Sequence, residues 1–420
     1  MRCICLLLIL VGCTPAICQT LSDTDEIPLP STELILDINE FTYTLANQHD
    51  QFYSFIGVRA LSMVHLAVHD ILNSIYPQFE AYHFREEADE VDLSAAIISA
   101  TQSLLTAAYP RRIDTIHQVC TSWSKGLLAG ELHNRGIFLG KKVAESYIQL
   151  RKGDGHEKKG DYTPMTKPGD YQYTPGFDWV WKPDFSVARP FTLNSITQFR
   201  SPKPPALKGQ EYAEAYNEVK TYGEKGSAIR SKDETHYAHW WAEFGEHGWN
   251  RIGRITAQSQ GLKAVEANRM FALLNMNLYD LYLVSFESKY FYDTWRPVTA
   301  IRNGASDGNP LTEGDNTWEP EMQTPPWPDY PSTHAAVGAS GAVIVSHVFG
   351  THKVPFAMES VTALPEAKVR SYEDLELAAE HCALSRIMNG FHFRFATDKG
   401  VEQGRVLARH TVGNFLRKVP

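Results

Sequence analysis

Apolar residues recur every three or four positions along most of this chain, and the strict alternation typical of half-buried strands is almost absent. Residues 52–75 show the pattern most clearly. Apolar side chains at this spacing share one face of a helix, and that face must pack against other elements. The same pattern predicts helices over residues 93–108, 113–123, 128–151, 210–222, 233–244, 249–259 and 262–288. We therefore expect an all-α fold.

Two segments lack helical periodicity. Residues 19–50 are predicted to be irregular, with a short strand near residues 34–38. Residues 153–205 are rich in Pro, Gly, Tyr and Trp, and a structureless stretch of this length is usually functional or disordered. Its aromatic content argues against disorder. Two interpretations are open: a loop that wraps the helices and helps to roof a functional site, or a structural wrap far from any site.

Composition limits the class of protein. The chain has 420 residues, of which 43% are hydrophobic, so it can bury a large core. We expect one continuous domain, in which an N-terminal helical region (residues 19–260) leads into a C-terminal helical core (residues 261–420). The net charge of −9 gives no indication of a nucleic-acid-binding protein. A site for an anion would therefore have to be a local concentration of basic groups.

The N-terminus resembles an export signal. Met1-Arg2 precedes the apolar run 3–12, and a small-residue cleavage site precedes Gln19, which predicts a signal peptide over residues 1–18. The run into Cys13 also resembles a bacterial lipobox, in which Cys13 would carry the lipid. Ten apolar residues are too few to cross a bilayer core of about 30 Å. We expect an exported protein without a transmembrane span that is periplasmic, extracellular or lipid-anchored at the bacterial envelope.

Two groups of histidines have the spacing of metal ligands. His65 and His69 lie one helical turn apart, which suits zinc, but no third ligand is evident nearby, so we predict core or inter-helix histidines. The second group forms a helical stripe and consists of His236, His239, Glu243 and His247. Gly245 and Gly248 are predicted to end that helix before His247 joins the stripe. Packing and hydrogen bonding are therefore the preferred roles of both groups.

Three short blocks after residue 288 collect groups that can hold a tetrahedral oxyanion. In the first block, Lys289 and Arg296 are seven residues apart, which would place both on one face of a helix until Pro297 breaks or kinks it. Two such cations can clamp a dianion, because arginine supplies a planar fork and lysine a point charge. The same spacing is also common among solvated surface residues.

The second block is Pro331-Ser332-Thr333-His334, directly before the apolar run 335–349. Ser332 is placed as an N-cap or first-turn residue, and a helix N-terminus offers unpaired N–H groups and a positive dipole end to an anion. The Ser332 hydroxyl and the Thr333 N–H could each bind an oxygen, and His334 could protonate a leaving oxygen. Simple helix capping is the alternative for this block alone.

The third block runs from Ser385-Arg386 to His392. Arg386 is predicted at the end of one helix, and Asn389-Gly390 provides a left-handed stop. His392 begins the next element, so the glycine turn would let Arg386 and His392 point into one pocket. His392 would be the nucleophile or the direct ligand at the central atom.

Together the blocks supply three cations, a serine hydroxyl, a backbone N–H and two histidines. One histidine would bond the central atom and the other would handle protons. Phosphoryl transfer through a phosphohistidine requires this set of groups. The same cage would hold vanadate, because vanadium readily takes a fifth ligand.

The pattern resembles the superfamily that unites type 2 phosphatidic acid phosphatases, bacterial class A acid phosphatases and vanadium-dependent haloperoxidases. Its signature is K-x6-RP, then PSGH, then SR-x5-H, and the corresponding segments here are residues 289–297, 331–334 and 385–392. The likeness to the long secreted haloperoxidase-type members continues upstream at residues 63–70, 198–205 and 249–252. The resemblance implies a helical bundle of the vanadium haloperoxidase and acid phosphatase type, with long irregular loops.

By this resemblance, the vanadate oxygens would be bound by Lys289, Arg296, Ser332, Thr333 and Arg386. His392 would be the vanadium ligand and His334 the acid/base. The implied reaction is oxidation of a halide by hydrogen peroxide to hypohalous acid, with Trp327 at an aromatic position near the halide site. The alternative is a phosphatase that hydrolyses phosphate monoesters through a phosphohistidine at His392. A homodimer is compatible with the resemblance, although the sequence indicates no interface.

Two departures from the family pattern stand out. Thr333 replaces the usual Gly, which retains the backbone N–H but narrows the site with a β-branched side chain. Many members also carry an Asp four residues after the final His, and here that position is Ala396. The nearest carboxylate is Asp398, which is a candidate partner for His392.

Overall fold

The computed structural model describes residues 28–50 and 57–419, so the predicted leader lies outside the described residues. The fold is built almost entirely of helices, as the periodicity predicts. The helices are α1 Thr32–Asp50, α2 Val58–Ile75, α3 Leu93–Ala108, α4 Ile113–Trp123, α5 Glu131–Leu150, α6 Gln210–Tyr222, α7 Lys232–Trp240, α8 Gly245–Ser259, α9 Ala264–Tyr292, α10 Pro297–Arg302, α11 Thr333–Phe349, α12 Leu375–Met388 and α13 Arg394–Asn414. A two-stranded antiparallel sheet, formed by β1 Phe356–Glu359 and β2 Val369–Tyr372, precedes α12.

The long helix α9 is the centre of the fold. It has 29 residues, and nearly all of them up to Lys289 are buried. Its buried residues lie on every side of the helix and include polar ones, and α9 is packed against α1, α2, α8, α11 and α13. The hydrophobic core includes residues from Ile35 to Leu416, so the two regions predicted from the sequence share it. Within the described ranges, no helix combines the length and apolarity needed to cross a bilayer.

The secondary-structure prediction is wrong for residues 32–50. α1 begins at Thr32 and continues to Asp50, so neither irregular chain nor a strand near residues 34–38 is correct there. Ile35, Ile38 and Leu45 are buried at spacings of three and seven residues. This helical period extends over several turns and outweighs the short apolar run that resembles a strand.

The aromatic loop 153–205 is ordered and held on the central helix. Asp280 of α9 accepts hydrogen bonds from the backbone N–H groups of Phe191 and Thr192, both at 2.6 Å. The Trp181 N–H donates to the Pro326 carbonyl at 3.1 Å. The loop therefore wraps α9 and braces the segment that leads to Ser332.

Candidate active site

The N-terminus of α11 is the first part of the site. Ser332 is its N-cap, as predicted, and the hydroxyl accepts a hydrogen bond from the Ala335 N–H at 3.4 Å. The Ser332 N–H donates to the Ala396 carbonyl at 2.8 Å, which ties the cap to α13. Thr333 is the first helical residue, so its N–H has no acceptor within the helix, and a helix end of this kind favours an anion. The Thr333 hydroxyl is engaged elsewhere, 2.6 Å from the Ser285 hydroxyl of α9.

The turn between α12 and α13 carries Arg386 and His392. Gly390 follows the C-cap of α12 with a φ of 74°. The Phe391 N–H then donates back to the Arg386 carbonyl at 3.0 Å, which is a bond of the Schellman motif. A side chain at position 390 would also meet the Gly223 carbonyl at 2.6 Å. The predicted glycine turn is confirmed, and glycine is required there both for its conformation and for space.

Lys289 and Arg296 converge, but not along one helix. α9 ends before Asp293, which has a left-handed backbone (φ 49°), and Arg296 caps the short helix α10. The prediction of a shared helical face is therefore wrong. The two cations instead meet at the segment 327–331. There the Arg296 Nε donates to the Trp327 carbonyl at 2.7 Å.

The Lys289 ammonium donates to three backbone carbonyls of the same segment, at 2.9, 2.9 and 2.6 Å. Burial, followed by the Arg296 charge, lowers the pKa of Lys289, while the three carbonyl acceptors favour the ammonium form. All three ammonium protons are thereby used. In this structure Lys289 braces the segment before Ser332 and adds positive charge there.

His392 lies between a cation and a carboxylate. The Arg296 Nη1 is 3.1 Å from His392 Nε2, and Asp329 Oδ1 is 2.8 Å from His392 Nδ1. Arg296 and Asp329 are themselves 3.8 Å apart. Burial first, and then the Arg296 and Lys289 charges, lower the pKa of His392 well below its usual value. The imidazole is therefore neutral at neutral pH, and one ring nitrogen retains a lone pair for a ligand.

His334 and Arg386 depend on the same backbone group, the Trp241 carbonyl. The Arg386 Nη1 donates to it at 2.9 Å. Burial, followed by the Arg386 charge, lowers the pKa of His334 well below its usual value, and a hydrogen bond to the Trp241 backbone partly opposes this. Burial lowers the pKa of Arg386 to about 10, so the guanidinium stays charged at neutral pH. His334 is thus a neutral base beside a cation.

A cavity of about 260 Å³ lies against these groups. His334, Arg386, His392 and Thr333 line it. The rest of its wall is mostly apolar and includes Phe244, Tyr282, Phe286, Met322, Trp327 and Phe391. Trp327, the halide-site candidate, therefore shares a cavity with both histidines. Within the described part of the chain, residues 153–205 do not line this cavity, so the loop braces the site from behind rather than roofing it.

Three buried side-chain nitrogen atoms at this centre have no hydrogen-bond partner among the described residues: Arg296 Nη2, Arg386 Nε and His334 Nε2. An unsatisfied buried group costs about 1–3 kcal/mol, and more when it is charged. An oxyanion would accept hydrogen bonds from the two guanidinium groups and engage the imidazole, which would remove this cost. The donor set therefore fits a vanadate or phosphate ion.

Asp329 is the site residue that motif analysis missed. It is fully buried, and burial raises its pKa to about 7 although the Arg296 and Lys289 charges lower it. Asp398, the predicted candidate partner of His392, lies elsewhere: its side chain is 62% exposed and 4.0 Å from Arg394. The sequence did contain a signal, because Asp329 is the one carboxylate among residues 325–334.

A second part of the wall was also missed. Residues 242–246, which comprise the end of the α7–α8 connection and the start of α8, line the cavity together with Tyr282 of α9. The Tyr282 hydroxyl donates to the buried carboxylate of Glu246 at 2.5 Å. Nothing in the local sequence marks this segment, because its position depends on how α8 and α9 pack against α11.

The remaining histidines have structural partners. The imidazole of His65 is 2.9 Å from the side-chain oxygen of Asn268 in the core, which confirms the predicted core role. His239 pairs with Glu321 at 2.8 Å. α7 ends at Trp240, so His247 lies on the next helix and does not join the stripe, as predicted. The predicted cause is wrong, because Gly245 begins α8 and Gly248 lies within it, so neither glycine ends α7. Among the described residues, no group of three or more His, Cys, Asp or Glu side chains could together hold a metal ion.

Comparison with known sequences supports the motif assignment. Residues 269–419 match the family described as the VCPO second helical-bundle domain, and this range contains all three blocks. Vanadium chloroperoxidase of Curvularia inaequalis is 23% identical over 388 aligned residues, which cover 73% of this chain. The match spans 62% of the length of that relative.

Comparison with solved structures shows the fold. A bacterial vanadium-dependent iodoperoxidase superposes with a TM-score of 0.80 at 22% identity, covering 94% of this chain and 99% of the other. A bacterial vanadium-dependent chloroperoxidase in its holo form gives a TM-score of 0.68 at 16% identity, covering 93% of each chain. The chain therefore shares the helical fold of these bacterial vanadium-dependent haloperoxidase structures, and its residues 269–419 are similar to the VCPO second helical-bundle domain.

Proposed function

We propose that this protein is a vanadate-dependent haloperoxidase-like oxidoreductase, which oxidises a halide with hydrogen peroxide at a vanadate held by His392. One observation carries the proposal. Arg296, Arg386 and His334 each keep a buried polar atom without a partner in the described chain, around a neutral His392. The relatives that match the chain are named for vanadium-dependent peroxidase activity, which favours vanadate over phosphate as the resident ion.

The charge at this centre suits an anion with one or two negative charges. Lys289, Arg296 and Arg386 are three buried basic groups, whereas Asp329 is a single buried acid whose pKa is raised to about 7, so positive charge is in excess. All four groups are buried, so solvent screens them little. A small oxyanion would balance this charge where it is needed.

Each residue has a distinct part in this proposal. His392 bonds the central atom through a ring nitrogen, while Arg296 and Arg386 donate to the oxygens. The Ser332 hydroxyl and the Thr333 N–H complete the cage at the positive end of α11. Vanadate supplies a Lewis-acidic centre that activates hydrogen peroxide toward attack by a halide.

His334 handles the proton. Its Nε2 is buried and has no partner within the described residues, and its lowered pKa leaves it able to accept a proton from an incoming hydrogen peroxide molecule. The aromatic wall that includes Trp327 and Phe286 lines the same cavity and offers few polar groups to bind water. A halide next to Trp327 would then be poorly hydrated, which makes it a better nucleophile.

The proposal is tested by loading the purified protein with orthovanadate and supplying hydrogen peroxide with bromide or iodide and a halogen-accepting dye. We expect halogenation that requires vanadate, and its loss in His392→Ala. His352→Ala, at a half-exposed histidine far from the cavity in sequence and paired with Asp374, is the matched control and should retain activity. A vanadate-inhibited hydrolysis of an aryl phosphate, without halogenation, would instead assign the cage to a phosphatase.

We also propose that the protein is exported, on the basis of the basic residue and apolar run at the start of the sequence. Mass spectrometry of the mature N-terminus checks this. Cleavage before Gln19 indicates a signal peptide, and a lipid-modified Cys13 at the N-terminus indicates a lipoprotein. An intact Met1 in the natural host would contradict export by either route.

A further inference from the structure

Asp329 touches both groups at the centre of the site. Its Oδ1 is 2.8 Å from His392 Nδ1 and 3.8 Å from Arg296 Nη1. We propose that Asp329 is a positioning residue: it holds the His392 ring in the tautomer that carries hydrogen on Nδ1, so that Nε2 offers its lone pair to the oxyanion site. The inference rests on the proposed function only in that vanadate is the ion that bonds Nε2.

The two neighbours of the ring select the same tautomer. A neutral imidazole has one N–H donor and one lone-pair acceptor. The Arg296 and Lys289 charges favour the ionised form of Asp329, which can only accept, and its Oδ1 faces Nδ1. The Arg296 guanidinium can only donate, and its Nη1 is closer to Nε2 (3.1 Å) than to Nδ1 (3.5 Å). Hydrogen on Nδ1 satisfies both contacts, whereas hydrogen on Nε2 would oppose a donor to a donor and a lone pair to a carboxylate.

The Asp329 backbone is fixed from both sides. Its N–H donates to the Thr294 carbonyl at 2.8 Å, and its own carbonyl accepts from the Lys289 ammonium at 2.9 Å. The residue is fully buried, so water does not compete for the carboxylate. Asp329 lies three residues before Ser332, and it therefore sets the His392 ring in register with the helix cap on which the oxyanion would rest.

The carboxylate faces the turn that carries the ring. Burial raises the pKa of the Asp329 carboxyl, whereas a backbone hydrogen bond from Phe393, the residue after His392, lowers it. Oδ1 lies 2.8 Å from His392 Nδ1. Both contacts involve neighbouring residues, so Asp329 fixes the turn and the ring together.

A charge effect and a positioning effect predict opposite results for Asp329→Asn. If Asp329 acted only through its charge, its removal beside Arg296 and Lys289 would strengthen the binding of every oxyanion. If it positions His392, vanadate binding should weaken, because the amide can donate toward Nδ1 and favour the wrong tautomer. Loss of a carboxylate that orients a ligating histidine typically costs 10–100-fold in affinity. Phosphate, which does not bond the imidazole on binding, should not weaken.

The first experiment measures dissociation constants by calorimetry for orthovanadate and, separately, inorganic phosphate. Wild type, Asp329→Asn and the matched control Asp398→Asn are compared, with unfolding temperatures for each. We expect Asp329→Asn to bind vanadate about 10–100-fold more weakly and phosphate equally or more tightly. Asp398→Asn should resemble wild type for both ions. Vanadate binding by Asp329→Asn within twofold of wild type, or tighter, overturns the inference.

The second experiment tests the His392 tautomer directly. It needs no Asp329 variant, so it remains available if Asp329→Asn does not fold. The ion-free wild-type protein, labelled with 15N in its histidines, is examined by NMR, and the His392 signals are identified by their loss in His392→Gln. We expect hydrogen on Nδ1 and an unprotonated Nε2. Hydrogen on Nε2 overturns the inference.

The two proposals fail in different ways. If the wild type binds neither vanadate nor phosphate, the proposal of an oxyanion site is contradicted. If it binds vanadate but shows the Nε2–H tautomer, the function stands and the role of Asp329 does not.

Discussion

Among the buried polar clusters of the described chain, two differ in whether their hydrogen bonds are complete. The first, the amide network, consists of Asn39, His65, Asn250, Asn268 and Asn275. Its members join α1, α2, α8 and α9, and each of their polar side-chain atoms has a partner in the described chain. The second, the cationic cage, consists of Lys289, Arg296, His334, Arg386 and His392. In the cage, three buried atoms have no partner in that part of the chain.

The comparison separates polar groups that stabilise the fold from polar groups that await a ligand. The amide network is neutral and satisfied, so it fixes the helices in one arrangement at little cost. The cage concentrates positive charge in the core and leaves donors unpaired, which lowers the stability of the ion-free protein. Natural proteins retain such a cost where function requires it.

The largest expected effect is on binding at the cage. Arg386→Met keeps a buried side chain of similar length but removes a guanidinium that no carboxylate pairs within the described chain. We expect vanadate to bind at least about 100-fold more weakly, since charged hydrogen bonds contribute about 1.5–3 kcal/mol each. The unfolding temperature should stay equal or rise, because a buried charge is removed. Calorimetry and thermal unfolding check both, and a clear loss of stability would contradict this view of the cage.

The complementary substitution in the amide network is Asn250→Leu. It leaves the Asn275 side-chain oxygen and one N–H of Asn39 without a partner. We expect the free energy of unfolding to fall by about 3 kcal/mol, from orphaned groups at about 1–3 kcal/mol each. Urea unfolding measures this loss. Vanadate affinity, measured below the transition, should change less than twofold, and a larger change would mean that the two clusters are coupled.

A pH effect follows from His65 in the amide network. Burial lowers its pKa from 6.5 to about 4, while the hydrogen bond to Asn268 raises it. Between these values the unfolded chain binds more protons than the folded one, so stability must fall as the pH is lowered from 6.5 toward 4. His65→Gln should remove part of this slope, on the order of 2 kcal/mol over the window. Urea unfolding at several pH values checks it, and an unchanged slope would exclude His65 as a cause.

The smallest effect is expected at Thr333. Thr333→Ala keeps the backbone N–H at the start of α11 and removes only the hydroxyl pair with Ser285. We expect a loss of about 1 kcal/mol in stability and less than a threefold change in vanadate affinity. Ser285→Ala is the control for the same pair from the other side. If Thr333→Ala alone changed affinity strongly, its side chain would belong to the cage.

The sequence predicted best what depends on adjacent residues. Helices α3 and α6 match their predicted ranges, the Ser332 cap is confirmed, and so is the turn at Gly390. Each of these depends on a few neighbouring side chains and on local backbone rules. The prediction for α1 was wrong because the apolar run at residues 34–38 is too short to distinguish a helical period from a strand.

What could not be predicted depends on segments that meet only in the fold. Lys289 and Arg296 lie close together as predicted, but not on one helical face. Nothing in the sequence marks Asp293 as the left-handed residue after which α9 cannot continue. Asp329 meets His392 across a long stretch of chain. The Trp241 carbonyl that serves Arg386 is a backbone group, which carries no sequence signal at all.

Trp327 performs two tasks with separate atoms. Its carbonyl seats the Arg296 guanidinium, and its ring faces the cavity. Any residue supplies the carbonyl, whereas the ring is particular to tryptophan. Substitution at this position can therefore alter the cavity wall while leaving the anchor of the arginine intact. If the proposed function is correct, halide selectivity and oxyanion binding are free to evolve independently.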